Sequence, residues 1–364
     1  MRADPQRDAV IVEKTVEQGL HYLAANVKTL VADTISRKAQ GSAIWTKLTV
    51  ELIKASKIRA FGPMQRFLLE MQLPNRLSAL YRTLLARCTS DNPENHRLAI
   101  VAVGTLATSH RHLSIIELAW ATGMGATDVV NTVHDLAKMV DHERILNILY
   151  PFLARLDYDD LKKHQVGLVH QSVKEFALKD LFPGQSCVPG LAVAENNTLP
   201  SAHVLEAFML NICVRYLLLG EIELQGVFSE EQAAIAQLPQ ASDLFSEKAG
   251  SVDYTTNCTW KVWEQDDCMI HYDPAERGFG ELFVYASCFW SKHFGSITSE
   301  ECLPNLADIE NLCKAGSRRL DNWTRQNCRP GCTMIPRFEF DSRLYDPLAM
   351  TFSVRAGSHA PEDA

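Results

Sequence analysis

Apolar residues recur at the spacing of an α-helix in several parts of this 364-residue chain. One helix face follows the i, i+3, i+4, i+7, i+8 order and consists of Leu77, Leu80, Tyr81, Leu84 and Leu85. Two later segments repeat the pattern, over residues 205–216 and 282–293. We therefore expect a mainly α protein, and we assign these stripes to its core rather than to chemistry.

Charge and hydropathy restrict the partners. The chain has 44 Asp and Glu against 36 Lys and Arg, which gives a formal net charge of −8. This excess of acid argues against a general binder of nucleic acid or of anionic membranes. The N-terminus lacks the apolar segment of a secretory signal, and no run of about 18 uncharged apolar residues exists. We therefore expect a cytoplasmic protein that contacts neither a membrane nor nucleic acid.

The common catalytic and metal-binding motifs are absent from the sequence. It has no G-x-x-x-x-G-K-[ST] phosphate loop, no G-x-G-x-x-G turn, no G-x-S-x-G elbow and no H-E-x-x-H helix. Among ten cysteines, only Cys328 and Cys332 form a close pair, which without a second pair indicates a turn with two thiols. We predict no enzyme activity, no metal and no cofactor for this chain by itself.

The segment 91–183 has the order of elements of a winged-helix domain. Asn92 and Pro93 predict the start of a helix, and Ser114 and Glu117 form a capping box for a second one. Gly123 and Gly125 are expected to end that helix. A third helix is predicted from Thr127 or Asp128 to Val140. A hairpin of Ile145–Leu149 with Val166–Val169 and a helix over Ser172–Leu181 then complete the pattern.

A winged-helix DNA-binding regulator is the first alternative that this pattern raises. Residues 96–182 carry nine basic side chains against ten acidic ones, and the third helix includes Asp128 and Asp135. A DNA-binding module must neutralise several phosphates, so the charge fits this alternative poorly.

Five segments, in order, resemble those of fungal NACHT-type NOD-like receptors, a group of signal-transducing STAND NTPases. They are Gly41–Leu48, Gln72–Tyr81, Leu113–Ala119, Leu168–Phe176, which reads LVHQSVKEF, and Phe283–Phe294. The resemblance covers about residues 20 to 355. It implies a helical lid segment at 1–90, a winged helix at 91–183, a linker at 184–200, a helical domain at 201–330 and a poorly ordered tail at 331–364.

The resemblance also implies a nucleotide-controlled switch, in which a winged-helix histidine contacts bound ADP. His170, in the triplet Val169-His170-Gln171, occupies that position, and an imidazole can donate a hydrogen bond to phosphate. The structural alternative is a strand-end histidine that hydrogen-bonds to the backbone. The Walker motifs and the ankyrin repeats of the family are absent, so ADP or ATP is expected only if a NACHT core is supplied by another chain.

Together these points predict a non-catalytic regulatory or signalling protein that acts through protein–protein contacts. The expected partners are a NACHT NTPase or further copies of this chain in a homo-oligomer. A second alternative is that the sequence is a fragment of a complete nucleotide-switched receptor.

Overall fold

The computed structural model describes residues 5–39, 42–70, 77–90, 92–127, 129–154, 162, 165–181, 201–228, 273–297 and 305–328. The predicted linker 184–200, the predicted tail 331–364 and Cys332 lie outside these residues. The chain divides into two compact units. Unit 1 comprises 1–122 and 141–185, and unit 2 comprises 123–140 and 186–364. The predicted winged-helix segment therefore contributes residues to both units.

The described residues are mainly helical, as the apolar periodicity predicts. Ten helices precede residue 177, and they are α1 (Pro5–Gly19), α2 (Ala25–Ala39), α3 (Ala43–Ala55), α4 (Phe61–Glu70), α5 (Leu77–Cys88), α6 (Pro93–Thr108), α7 (Ile115–Ala126), α8 (Val133–Met139), α9 (His142–Leu149) and α10 (Gln171–Phe176). A 3-10 turn (Tyr150–Phe152) follows α9, and a π-helical turn (Ala177–Leu181) follows α10. Among the described residues after 200, five more helices are α11 (Ser201–Leu217), α12 (Gly220–Leu224), α13 (Phe283–Ser296), α14 (Leu306–Leu312) and α15 (Arg318–Cys328).

In unit 1 the helices α1 to α5 pack on one another, and α10 packs on both α5 and α6. The predicted apolar stripe of α5 accounts for this packing, because Leu80, Tyr81 and Leu84 are completely buried. The Tyr81 ring lies beside Phe152 and Phe176, with ring centroids 6.1 Å and 5.4 Å away. Tyr81 thereby joins the helical N-terminal segment to the elements around α10.

The local start signals of α6 and α7 are confirmed. The Asn92 side chain accepts a hydrogen bond from the Glu94 N–H at 2.8 Å, and Pro93 begins α6. The Ser114 N–H donates to the Glu117 carboxylate at 2.9 Å, and the Glu117 N–H donates to Ser114 Oγ at 3.1 Å. This reciprocal pair is the predicted capping box.

The predicted hairpin is wrong. Residues 145–149 belong to α9, which begins where the Asp141 side chain accepts a hydrogen bond from the Arg144 N–H at 2.9 Å. A short apolar run fits a buried helix as well as a strand, and here the cap decides. Strand β2 (Gln165–Val166) instead pairs antiparallel with β1 (Leu113–Ser114), with Leu113 opposite Val166.

The predicted boundaries between the second and third helices are also wrong. Helix α7 continues through Gly123 and Gly125 to Ala126, and the third helix begins only at Val133, with Thr132 as its cap. A glycine inside a helix costs only about 1 kcal/mol, which packing can offset. A Cβ on Gly123 would make ordinary van der Waals contact with Leu136 and Val140, at 3.5 Å and 3.6 Å, so α8 and the residue after it pack against this part of α7.

Unit 2 is organised around the pair α11 and α13, with α14 and α15 packed against them. The predicted stripe of α11 is confirmed, since its members are buried: Leu205, Phe208, Met209, Ile212, Cys213 and Tyr216. Trp290 of α13 packs edge-to-face against Trp323 of α15, with ring centroids 5.2 Å apart. Among the helices described, none has both the length and the apolar character that a membrane crossing requires.

Candidate functional site

His170, the site residue predicted from the sequence, caps the N-terminus of helix α10. It is exposed, has an extended backbone, and precedes α10. Its Nδ1 accepts a hydrogen bond from the Ser172 N–H at 3.1 Å and lies 2.7 Å from Ser172 Oγ. The backbone bond of the structural alternative is therefore present, but it uses only one of the two ring nitrogens.

A pocket of about 370 Å³ in unit 1 includes His170 in its wall. None of its lining residues is acidic, and five of them carry nitrogen groups that can bind an anion: His110, Arg111, His112, His170 and Lys174. The other lining residues are Leu106, Ser109, Leu113, Val166, Gly167, Leu168 and Gln171. The volume falls in the usual range for small-molecule sites.

The small sheet and the start of α7 hold Arg111 at this pocket. Its guanidinium donates to both oxygens of Glu117, at 2.7 Å and 2.5 Å, and to the carbonyl oxygen of His112 at 2.8 Å. Glu117 is itself fixed by the capping box with Ser114. Arg111 therefore has a defined orientation, although Glu117 neutralises part of its charge.

Lys174 belongs to α10, four residues after the cap His170, and both residues line the pocket. Lys174 is half-buried, so its apolar stem lies along the wall while its ammonium group can remain in the pocket. A lysine, an arginine and several imidazoles around one opening are the groups that proteins use to bind phosphate. The arrangement can bind an anion and orient it.

The sequence analysis identified His170 but missed the other basic residues of this pocket. Two signals were present in the chain. The run His110-Arg111-His112 directly precedes strand β1, and Lys174 follows His170 at helical spacing. Neither signal predicts a pocket alone, because the two segments are about 60 residues apart and meet only through the pairing of β1 with β2.

A second histidine, His293, is placed very differently in unit 2. It is completely buried near the end of α13, and its Nε2 lies 2.9 Å from Tyr285 Oη. Its Nδ1 lies 2.6 Å from a carboxylate oxygen of Glu206 on α11. His293 therefore forms hydrogen bonds at both ring nitrogens near the end of its helix.

Cys88 and Cys213 are free thiols. Burial raises the pKa of Cys213 far above that of an ordinary thiol, and Glu206 raises it further. Since the thiolate is the reactive form, Cys213 is an inert core residue.

The N-terminus of α8, the expected DNA-reading helix, is occupied by a carboxylate. Glu221 of α12 accepts hydrogen bonds from the N–H groups of Val133 at 2.8 Å and His134 at 3.3 Å. Its negative charge opposes the approach of a DNA phosphate to these donors. This geometry gives the DNA-binding alternative no support.

No protein-family model, curated protein or solved structure matches this chain. The resemblance to NACHT-type receptors therefore rests on the five sequence segments alone. The pocket around His170 is assigned from its own geometry.

Proposed function

We propose that this chain is a non-catalytic regulatory protein of the cytoplasm that acts through protein–protein contacts and responds to a phosphate-bearing ligand. In this proposal the ligand is a nucleotide, and the pocket around His170 holds its phosphate groups. The observation that carries the proposal is the convergence of His170, Lys174 and Arg111 on one pocket without a lining acid.

The donors of this pocket suit a phosphate better than a carboxylate or a neutral ligand. They approach from two separate parts of the fold, namely the turn before β1 and the start of α10. A phosphate group offers several oxygens in different directions and can therefore accept from both parts at once. The half-buried Lys174 supplies a charge, while the fork of Arg111 is bound to Glu117 and Arg111 contributes the part of its positive charge that Glu117 does not neutralise.

The sequence lacks a glycine-rich loop that would enclose the β- and γ-phosphates. The pocket is accordingly a partial site, which senses phosphates of a nucleotide that a NACHT NTPase or another copy of the chain holds. Such a site binds free nucleotide weakly by itself. A switch then results, because only the complex with the nucleotide fills the pocket.

Isothermal titration calorimetry of the purified chain with pyrophosphate and with ADP tests the binding. We expect dissociation constants in the roughly millimolar range, weakened about tenfold in Lys174→Met. The matched control is Lys138→Met on α8, an exposed lysine that pairs with Asp135 and does not line the pocket. The absence of binding, or equal losses in both variants, would contradict the proposal.

Two further measurements test the other parts. Steady-state hydrolysis of ATP by the chain alone would overturn the non-catalytic assignment. Sedimentation of the chain with a purified NACHT NTPase domain, with and without ADP, tests the partner. We expect an association that ADP strengthens and that Lys174→Met weakens.

A further inference from the structure

Three polar groups form an uninterrupted hydrogen-bond chain from the core of unit 1 to the pocket. Tyr81 Oη lies 2.8 Å from Ser172 Oγ, and Ser172 Oγ lies 2.7 Å from His170 Nδ1. Tyr81 is completely buried on α5, whereas His170 is exposed in the pocket wall. This series of hydrogen bonds therefore links the packing interface of α5 and α10 to the side of α10 that faces the pocket.

The direction of each hydrogen bond in this chain follows from one fixed donor. The backbone N–H of Ser172 can only donate, so the His170 Nδ1 that it reaches must carry a lone pair. Because Nδ1 has no proton, Ser172 Oγ must be the donor in their contact. The single proton of Ser172 Oγ is then in use, and Ser172 Oγ must accept from Tyr81 Oη.

The same reasoning fixes the tautomer of His170. A neutral imidazole with an unprotonated Nδ1 carries its proton on Nε2. Protonation of Nδ1 would place two donors, the imidazole N–H and the Ser172 N–H, against each other. Burial raises the pKa of Tyr81, so its hydroxyl keeps its proton and remains a donor at neutral pH.

We infer that Tyr81 and Ser172 are positioning residues that hold the neutral imidazole of His170 in the tautomer with its proton on Nε2, so that an N–H donor serves the pocket. Because Tyr81 belongs to α5, the inference also couples this donor to the packing of α5 on α10. A displacement of α5 would release Ser172 Oγ from Tyr81 and so weaken the preference of His170 for the Nε2–H form, which the Ser172 N–H continues to favour. The ligand role of the N–H donor rests on the proposed phosphate function, whereas the tautomer does not.

Long-range proton–nitrogen NMR of the chain labelled with nitrogen-15 histidine tests the tautomer directly. Among the twelve histidines, His170 is identified as the one whose pair of ring-nitrogen signals is lost in His170→Gln. At about pH 8, where an ordinary imidazole is neutral, we expect His170 in the Nε2–H form. We expect Ser172→Ala to lower the ratio of the Nε2–H to the Nδ1–H form about fivefold, and Tyr81→Phe about twofold, as for loss of one hydrogen bond.

The matched control is Tyr216→Phe in unit 2, which also removes a buried hydroxyl, one that donates to the Phe279 carbonyl oxygen at 2.7 Å. It should leave the His170 ratio unchanged, whereas a merely structural effect of hydroxyl loss would alter it in both variants. A wild-type His170 with its proton on Nδ1, or a ratio unaffected by both Ser172→Ala and Tyr81→Phe, overturns the inference.

Pyrophosphate titrations of the same samples separate this inference from the proposed function. If the tautomer ratio responds as expected while pyrophosphate does not bind, the positioning role stands and the phosphate function fails. If pyrophosphate binds through His170 but the proton is on Nδ1, the phosphate function stands and the positioning role fails. When both hold, Ser172→Ala weakens pyrophosphate binding by a smaller factor than His170→Gln.

Discussion

Two histidines in this protein each form hydrogen bonds in a network that includes a tyrosine, yet they differ in the access to their ring nitrogens. His170 in unit 1 is exposed, and its Nδ1 is occupied while its Nε2 is left for the pocket. His293 in unit 2 is completely buried, with Tyr285 at one ring nitrogen and Glu206 at the other. The comparison shows that the same residue type can have both ring nitrogens occupied in the core, as in His293, or one of them accessible at a pocket wall, as in His170.

The largest change in stability is expected from replacing His293, the buried histidine. Replacement of His293 by Ala leaves a cavity and removes a partner from Tyr285 and from Glu206, which should lower the free energy of unfolding by about 3 kcal/mol. Hydrogen exchange of peptides from α11 and α13, followed by mass spectrometry, would locate the loss in unit 2. Pyrophosphate binding should be retained. A stable His293→Ala protein with weakened phosphate binding would reverse the roles that we assign to the two histidines.

Local signals in the sequence predicted those parts of the fold that local bonds determine. The capping residues Asn92, Ser114 and Glu117 act within three residues of their partners, and each is found as expected. The apolar stripe of α11 was also predictable, because helical periodicity and burial agree there.

The errors arose where distant packing decides the local structure. Gly123 resembles the end of a helix in the sequence, but it lies inside α7, where Leu136 of α8 packs against it. Tyr81 looked like an ordinary core residue, and only the contact with Ser172, 91 residues away, gives its hydroxyl a role. The pocket depends in the same way on the pairing of β1 with β2 across about 50 residues.

Alkaline pH should distinguish the two units. In unit 2, burial raises the pKa of Cys213 and of Tyr216 well above the ordinary values of 9.0 and 10.0. As pH rises, the unfolded chain releases the protons of Cys213 and Tyr216 before the folded chain does. The stability that these groups provide is therefore complete below their ordinary pKa values and is lost as pH rises above them. In that window, each group should lower the free energy of unfolding by about 1.4 kcal/mol for each unit of rising pH.

Urea unfolding between about pH 8 and pH 11 would measure this slope. Tyr216→Phe should flatten the slope above about pH 10, because one of the two groups is then absent. Hydrogen exchange should show that α11 loses protection more steeply than α5. An equal slope in both helices would contradict the larger rise in pKa of Cys213 and Tyr216 on α11 compared with that of Tyr81 on α5.

A smaller effect separates the capping role of His170 from its binding role. His170→Ala removes the side chain that accepts from the Ser172 N–H, and the lost cap should lower the free energy of unfolding by about 1 kcal/mol. Asparagine is a preferred N-cap, so His170→Asn should restore most of this stability. It should not restore pyrophosphate binding, because it lacks the imidazole donor. Urea unfolding and calorimetry of both variants provide the two readouts.

The smallest expected effect concerns the surface beside Tyr81. Arg82 on α5 pairs with Asp180 at 3.2 Å, close to the buried contact of Tyr81 with Ser172, but the Arg82 side chain is 64 % exposed. Ion pairs at such positions contribute little, so Arg82→Ala should lower the free energy of unfolding by no more than about 0.5 kcal/mol. The tautomer ratio of His170 should stay at its wild-type value, because the buried tyrosine, rather than the surface ion pair, holds α5 against α10. If Arg82→Ala instead changes that ratio as strongly as Tyr81→Phe does, the electrostatic contact at the surface sets the packing of the two helices, and the hydroxyl chain only follows it.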